Sequence, residues 1–233
     1  MSTQFNIGVV IACYNEIANL ETVFNRIHNC GVPIAEIIVV DDGSTDGSRE
    51  FLTQHKDLYN LTLIFHCKNK GKGACLQTGF AQVTADLIII QDADLEYHPN
   101  DYSKLIAPFV SQNADVVYGS RFTGRNLQNT AYFWHSVANK MITFLSNIFT
   151  NLNLTDIETC YKVFRKDILN QLHLQENRFG IEPEITAKIA KLKCRIVEVG
   201  ISYEGRSYKE GKKITLKDAF RAVWCIMRYS LSR

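Results

Sequence analysis

The segment 87–97 reads Leu-Ile-Ile-Ile-Gln-Asp-Ala-Asp-Leu-Glu-Tyr, an apolar run that ends abruptly in carboxylates. Four consecutive apolar residues predict a strand that is buried on both faces of a parallel sheet. Asp92 and Asp94 follow the end of this strand, where they can turn toward one point. Mg²⁺ and Mn²⁺ prefer such oxygen ligands, and open α/β sheets bind ligands at this edge. The segment therefore predicts a divalent metal site, with a solvated loop as the alternative.

Strand and helix patterns alternate on both sides of this segment. The predicted strands of the first half cover 7–12, 36–40, 61–66, 87–91 and 115–118, and helical patterns cover 17–29, 45–52, 73–82 and 99–110. This alternation predicts βαβ units and a doubly wound, mostly parallel α/β sheet. The second half follows with a long helical pattern at 131–150, a strand at 160–164, helices near 167–173 and 182–192, a strand at 195–199 and a helix from about 215. Because no repeat or Pro- or Gly-rich linker interrupts it, we predict one domain over residues 1–233.

Composition limits the classes of partner. The chain of 233 residues is 46% hydrophobic and 21% charged, which is typical of a globular protein with a large core. A net charge of +2 gives no indication of a nucleic-acid partner. Residues 204–233, however, carry eight Lys or Arg against three acids. Such a basic end indicates an anionic partner, a membrane surface or simply solubility.

The cysteines and the N-terminus indicate the compartment. Seven scattered cysteines without a C-x-x-C pair favour reduced, mostly buried thiols over a disulfide framework or a zinc site. The N-terminus shows no signal-peptide pattern, and no run of about 18 apolar residues is present. We therefore expect a cytoplasmic protein.

Two further polar loops follow predicted strands. Tyr14-Asn15-Glu16 leaves the first strand and Asp41-Asp42-Gly43-Ser44 leaves the second. A carboxylate at this edge can accept hydrogen bonds from a nucleotide base or from ribose hydroxyls. Helix capping is the alternative, since Asp, Asn and Ser are all good N-caps.

The segment Asn69-Lys70-Gly71-Lys72-Gly73 precedes a helical pattern and offers backbone N–H groups together with two cations. This arrangement is receptive to anions. The Walker pattern and the G-x-G-x-x-G pattern are both absent, which argues against an ATPase and against a dinucleotide oxidoreductase.

The order of these motifs is more specific than any one of them. Y-N-E, D-D-G-S-x-D-G, N-x-G-K-G, D-A-D-L-E and G-S-R-F each stand at a successive strand end or helix start. In this order the chain resembles the inverting family-2 glycosyltransferases with the GT-A fold, and among them the polyprenyl (dolichyl)-phosphate hexose synthases. The resemblance runs from Ile7 to Gly211 and includes further marks at 155–165, 178–184 and 203–213.

The resemblance implies a division of labour along the chain: a nucleotide-sugar-binding half at 1–120, an acceptor half at 121–215 and an amphipathic helix at 216–233. It implies a metal site of Asp92 and Asp94, with Glu96 where mannose synthases often carry Gln. The implied nucleotide-sugar contacts are Tyr14, Glu16, Asp41, Asp42, Gly71 and Asp92, joined by Lys209, Lys212 and Lys213 of a mobile basic segment.

The resemblance also implies catalytic and acceptor contacts. The implied catalytic residues are Asp92, Asp94, Arg121 and Asp156, and the candidate acceptor contacts are Arg121, Arg125, His135 and Arg165. Asp156 and Glu158 could act as base if the acceptor is a hydroxyl. Alternatively, Asp156 orients Arg165 or caps a turn.

The implied reaction is metal-dependent transfer of a hexose, with inversion, from UDP-glucose or GDP-mannose to a polyprenyl phosphate, with Mg²⁺ or Mn²⁺ as cofactor. A transferase acting on a sugar or protein hydroxyl is one alternative, and a non-catalytic nucleotide-binding scaffold subunit is another. Residues 131–150 and 216–228 mix bulky apolar and basic residues, as interfacial helices do. We therefore expect contact with the cytoplasmic face of a membrane, while packing on the core or on a second copy of the chain remains the alternative.

Overall fold

A seven-stranded sheet organises the chain in a computed structural model that describes residues 5–123, 133–205 and 216–231. The strands are β1 (Ile7–Cys13), β2 (Glu36–Asp41), β3 (Leu61–Phe65), β4 (Leu87–Asp92), β5 (Val116–Ser120), β6 (Lys162–Arg165) and β7 (Ile196–Gly200). The helices are α1 (Ile17–His28), α2 (Ser48–Gln54), α3 (Lys72–Phe80), α4 (Tyr102–Ser111), α5 (Phe133–Thr150), α6 (Lys166–Leu169), α7 (Ile181–Lys191) and α8 (Leu216–Leu231). A short 3₁₀ turn at Pro99–Asp101 precedes α4.

The strand order is β3-β2-β1-β4-β6-β5-β7, and β6 alone among these strands runs antiparallel to its neighbours. The structure thus confirms the predicted α/β class and the mostly parallel sheet. The direction of β6 was not anticipated, because its apolar pattern is the same in either orientation. Its consequence is that the turn before β6 lies at the same edge of the sheet as the ends of β4 and β5.

The register of the central strands brings the polar loops after β1, β2 and β4 to the same height at one edge of the sheet. Cys13 at the end of β1 pairs with Asp41 on one side, while Ala12 pairs with Asp92 on the other. The three loops therefore leave the sheet side by side at its carboxyl edge, as predicted. The apolar residues of β4 that precede Asp92 are fully buried, as expected for a central strand.

Several helix boundaries differ from the predictions. α2 begins at Ser48 rather than at residue 45, because Asp46 accepts hydrogen bonds from the Ser48 backbone and hydroxyl and from the Ile17 backbone. The helix predicted near 167–173 is the four-residue α6. At the C-terminus, α8 packs against α5 and α7.

Candidate active site

A cavity of about 370 Å³ opens at the carboxyl edge of the sheet. Nine of the candidate residues taken from the sequence line it: Tyr14, Glu16, Asp42, Gly71, Asp92, Asp94, Glu96, Arg121 and Glu158. Lys72, one of the two cations expected in the 69–73 segment, also lines it. The sequence assigned no site role to several other lining residues, among them Tyr97, Cys160, Arg178, Glu182 and Tyr203. Strand order divides the cavity, with the β1 and β2 loops on one side of Asp92 and the loops flanking β5 and β6 on the other.

Asp42 forms the end of the cavity next to β2. Its carboxylate accepts hydrogen bonds from the backbone N–H of Gly71 at 2.7 Å and of Lys70 at 2.9 Å, and it lies 2.7 Å from Nδ1 of His66. Burial alone would raise the pKa of Asp42, but the hydrogen bonds from His66, Lys70 and Gly71 outweigh it and lower the pKa. Asp42 therefore stays ionised while it ties β2 to the start of α3.

The segment 69–73 is held by the protein itself. The N–H groups of Lys70 and Gly71 donate to Asp42, and that of Ala74 donates to the carbonyl of Asn177. These three N–H groups are paired within the chain and are therefore not the ones that would bind an anion. A Cβ on Gly73 would lie 2.1 Å from the Glu176 carbonyl oxygen, so only glycine allows this close approach.

Lys72 carries the positive charge of this segment into the cavity. Its Nζ lies 2.9 Å from Oδ1 of Asp92 and 3.3 Å from Oε1 of Glu182. Burial would lower the pKa of Lys72, but the carboxylates of Asp92 and Glu182 raise it well above the ordinary value. Glu182 also pairs with the fully buried Lys162, so a chain of alternating charges runs from Asp92 into the core.

Arg121 and Asp156 form a buried pair beside β5. The Arg121 guanidinium donates to both carboxylate oxygens of Asp156, at 2.7 and 2.8 Å, and the Arg121 backbone N–H donates to the same carboxylate at 3.1 Å. Asp156 is fully buried and does not line the cavity. Its geometry therefore supports an orienting role rather than that of a base, and the arginine that it orients is Arg121 instead of Arg165.

Two predicted contacts lie away from the cavity, and their assignments are corrected. Arg165 pairs in register with Leu87 at the opposite edge of the sheet, and its guanidinium donates to the carbonyl of Ala114 at 2.8 Å. Asp41 is fully buried, binds the Arg49 guanidinium at 2.8 Å and shapes its own loop. Arg125, Lys209, Lys212, Lys213 and the His135 side chain lie outside the described residues.

Glu158 is a cavity residue whose carboxyl is strongly perturbed. It lies in the turn before β6, and its Oε1 is buried without a hydrogen-bond partner among the described residues. Burial raises its pKa to about 7, and the negative charge of Glu182 adds to this effect, whereas Lys162 and Arg121 oppose it. Near neutral pH this carboxyl is therefore close to half protonated.

The carboxylates at the end of β4 are the right donors for Mg²⁺ or Mn²⁺ because all of their ligand atoms are oxygens. Asp92, Asp94 and Glu96 all line the cavity, and Tyr203 donates a hydrogen bond to Glu96 at 3.0 Å. Among the described residues, the group of three possible metal ligands whose atoms lie within 4.8 Å of one another is Asp42, His66 and Cys75. It includes none of the β4 carboxylates, so these carboxylates do not surround an ion on their own. The β4 carboxylates thus fit a divalent ion that is also coordinated by phosphate oxygens, rather than an ion bound entirely by protein ligands.

The glycosyl transferase family 2 profile matches residues 8–172, which include every cavity loop from Tyr14 to Cys160. The chain belongs to this family. This membership confirms the resemblance drawn from the motif order and the predicted enzyme class. Sequence relatives within the family are the dolichol-phosphate mannosyltransferase of Pyrococcus furiosus and the undecaprenyl-phosphate mannosyltransferase of Micrococcus luteus. Both are 29% identical, over 96% and 87% of this chain.

The chain spans 64% of the Pyrococcus relative and 85% of the Micrococcus relative. An undecaprenyl-phosphate 4-deoxy-4-formamido-L-arabinose transferase of Proteus mirabilis is also 29% identical, over 91% of the chain and 64% of its own length. Glucosyl-3-phosphoglycerate synthase of Mycobacterium tuberculosis, solved with Mn²⁺, UDP and phosphoglyceric acid, superposes with a TM-score of 0.74 at 18% identity. That superposition covers 98% of this chain and 79% of the synthase and confirms the GT-A fold.

Proposed function

We propose that this family-2 glycosyltransferase moves a hexose from UDP-glucose or GDP-mannose to a polyprenyl phosphate, with inversion at the anomeric carbon and with Mg²⁺ or Mn²⁺ bound. The observation that carries the proposal is the distribution of charge in the cavity: carboxylates at the end of β4, with Lys72, Arg121 and Arg178 around them. The names of the sequence relatives support a polyprenyl-phosphate acceptor.

In the proposed reaction, an oxygen of the acceptor phosphate bonds to the anomeric carbon as the bond from that carbon to the donor diphosphate breaks. The nucleoside diphosphate leaves with the electron pair. A phosphate acceptor is already an anion and needs no base. It does need cations to hold it beside the donor diphosphate, and Arg121 and Arg178 both line the cavity.

Within this proposal, Tyr14, Glu16, Asp42 and Gly71 bind the nucleotide, because they line the cavity beside β1 and β2. A divalent ion held by Asp92 and Asp94 would neutralise charge on the leaving diphosphate. Arg121 lies across Asp92 from the nucleotide end, held in place by Asp156. Arg125, His135, Lys209, Lys212 and Lys213 keep the roles that the resemblance implies for them.

Attachment to a membrane surface belongs to the same proposal, since a polyprenyl phosphate is embedded in a bilayer. In the described ranges, no helix is long and apolar enough to cross a bilayer. α8 nevertheless exposes Phe220 at 78% and Leu231 at 70%, and its neighbour α5 exposes Phe144 at 68%. Apolar side chains presented together with basic ones such as Arg228 are typical of interfacial helices. We propose that this surface rests on the cytoplasmic face of a membrane.

A donor and acceptor screen tests the proposal. The purified protein is incubated with UDP-glucose, GDP-mannose or UDP-N-acetylglucosamine, with and without a short polyprenyl phosphate, in Mg²⁺, Mn²⁺ or EDTA. We expect product from one of the three donors. This product should form only when the polyprenyl phosphate and a divalent metal ion are both present. Asp94→Ala should lower this turnover by on the order of a hundredfold or more, as loss of one charge-stabilising contact does. Transfer to a sugar or protein hydroxyl alone would refute the polyprenyl-phosphate acceptor, and unchanged turnover in Asp94→Ala would refute the metal assignment.

A further inference from the structure

The turn that precedes β6 carries Glu158 into the cavity, on the side of Asp92 away from the β1 and β2 loops. Oε1 of Glu158 is buried and has no hydrogen-bond partner among the described residues, although its neighbours Arg121 and Asp156 are paired with each other. A buried carboxyl oxygen without a hydrogen-bond partner destabilises the empty site. Because Glu158 lines the cavity, a bound ligand can supply the hydrogen-bond partner that this oxygen lacks.

The charges around Glu158 decide which form it takes. Glu182 on α7 and Asp156 on the same turn favour the protonated form, whereas Lys162 on β6 and Arg121 after β5 favour the ionised one. Both cations are engaged elsewhere, Lys162 by Glu182 and Arg121 by Asp156. Burial and the two acids therefore prevail, and the carboxyl keeps its proton up to about pH 7.

We propose that Glu158 determines acceptor binding: its protonated carboxyl donates a hydrogen bond to the acceptor phosphate, and its ionised form repels that phosphate. The inference rests on the proposed phosphate acceptor and deepens it. A protonated carboxyl can donate, whereas a carboxylate can only accept, so a phosphate oxygen is bound by the first and rejected by the second. A hydroxyl acceptor would instead use the ionised form as a base.

The test is the Michaelis constant for a short polyprenyl phosphate, measured from about pH 6 to pH 9 in wild type and in Glu158→Gln at saturating donor. Gln keeps a donor and cannot ionise. Because apparent affinity falls with the fraction of binding-competent protein, the ratio of wild-type to variant constants should rise about tenfold between pH 6 and pH 8. The phosphate ionises equally in both assays, so the ratio isolates Glu158. Glu50→Gln, which removes an exposed carboxylate on α2, should follow wild type at every pH.

A ratio that stays constant with pH would overturn the inference. So would a fall in kcat of about a hundredfold or more in Glu158→Gln with an unchanged Michaelis constant, because that result identifies a general base. If the variant does not fold, wild type alone decides. Phosphate monoesters complete their ionisation around pH 7, so a flat acceptor constant above that pH refutes the proposed role. Failure of wild type to use any polyprenyl phosphate would refute the proposed function itself.

Discussion

Replacing Glu158 by Gln should make the folded chain more stable relative to wild type as the pH rises. The folded protein holds the pKa of this carboxyl at about 7, against an ordinary value of 4.5. Because the folded state binds the proton of Glu158 more tightly than the unfolded chain does, protonation of this carboxyl favours folding. This contribution to the free energy of unfolding is fully present below about pH 4.5 and is lost as the pH rises through about 7. Above that pH, wild type holds an ionised group in a site that disfavours the charge, whereas the side-chain amide of the Glu158→Gln variant stays neutral.

The size of the effect follows from the two pKa values. Their difference of about 2.5, at roughly 1.36 kcal/mol for each tenfold change in an ionisation constant, corresponds to about 3 kcal/mol. The free energy of unfolding of Glu158→Gln, relative to that of wild type, should therefore rise by this amount between about pH 4 and about pH 8. Because the same substitution is compared at two pH values, the pH-independent differences between Gln and protonated Glu cancel.

The assay is urea unfolding followed by far-ultraviolet circular dichroism, with wild type and variant measured at both pH values. Glu50→Gln is the control, because an exposed carboxylate in the first turn of α2 should contribute less than about 1 kcal/mol at either pH. An equal effect of Glu158→Gln at the two pH values would refute the buried, unpaired state of this carboxyl. A loss of stability on raising the pH that is larger in the variant than in wild type would refute it as well.

Three further outcomes follow from other contacts. Asp156→Asn should destabilise the fold by about 3–5 kcal/mol in urea unfolding, since it leaves a buried guanidinium uncompensated; a loss below about 1 kcal/mol would contradict this. Gly73→Ala forces apart α3 and the 176–178 segment and should cost about 1–3 kcal/mol while weakening nucleotide binding in calorimetry; normal binding would count against that packing. Phe220→Ser and Arg228→Glu should each reduce flotation with anionic vesicles, whereas Val110→Ser on α4, also exposed and apolar, should not; equal loss in all three would exclude a specific surface.

Much of the nucleotide end of the cavity was predictable because it is built from local signals. Apolar runs that stop at polar residues mark the ends of buried strands, and the ends of parallel strands share one edge of the sheet. Tyr14, Asp42, Asp92 and Asp94 were identified in this way, and all four line the cavity. The motif order then indicated the family.

Charged side chains inside secondary structure were harder to predict. Lys162 lies within β6, where its neighbours Tyr161 and Val163 suggest an ordinary apolar strand. Nothing local shows that it pairs with Glu182, which is twenty residues away on α7. Arg165 was misplaced for the opposite reason: a cation beside a family motif suggested a phosphate contact, but the antiparallel direction of β6 carries it to the other edge of the sheet.

By itself, the sequence determined the α/β class, the family and the residues at the ends of β1, β2 and β4, because each depends on short-range patterning and on a sheet geometry that parallel strands share. Only the tertiary structure decided which charges are paired: Arg121 with Asp156, Lys72 with Asp92 and Glu158 with no described partner. Pairing depends on distances of a few ångströms between side chains far apart in the chain. It also depends on burial, which makes each unpaired charge costly enough to shift its protonation.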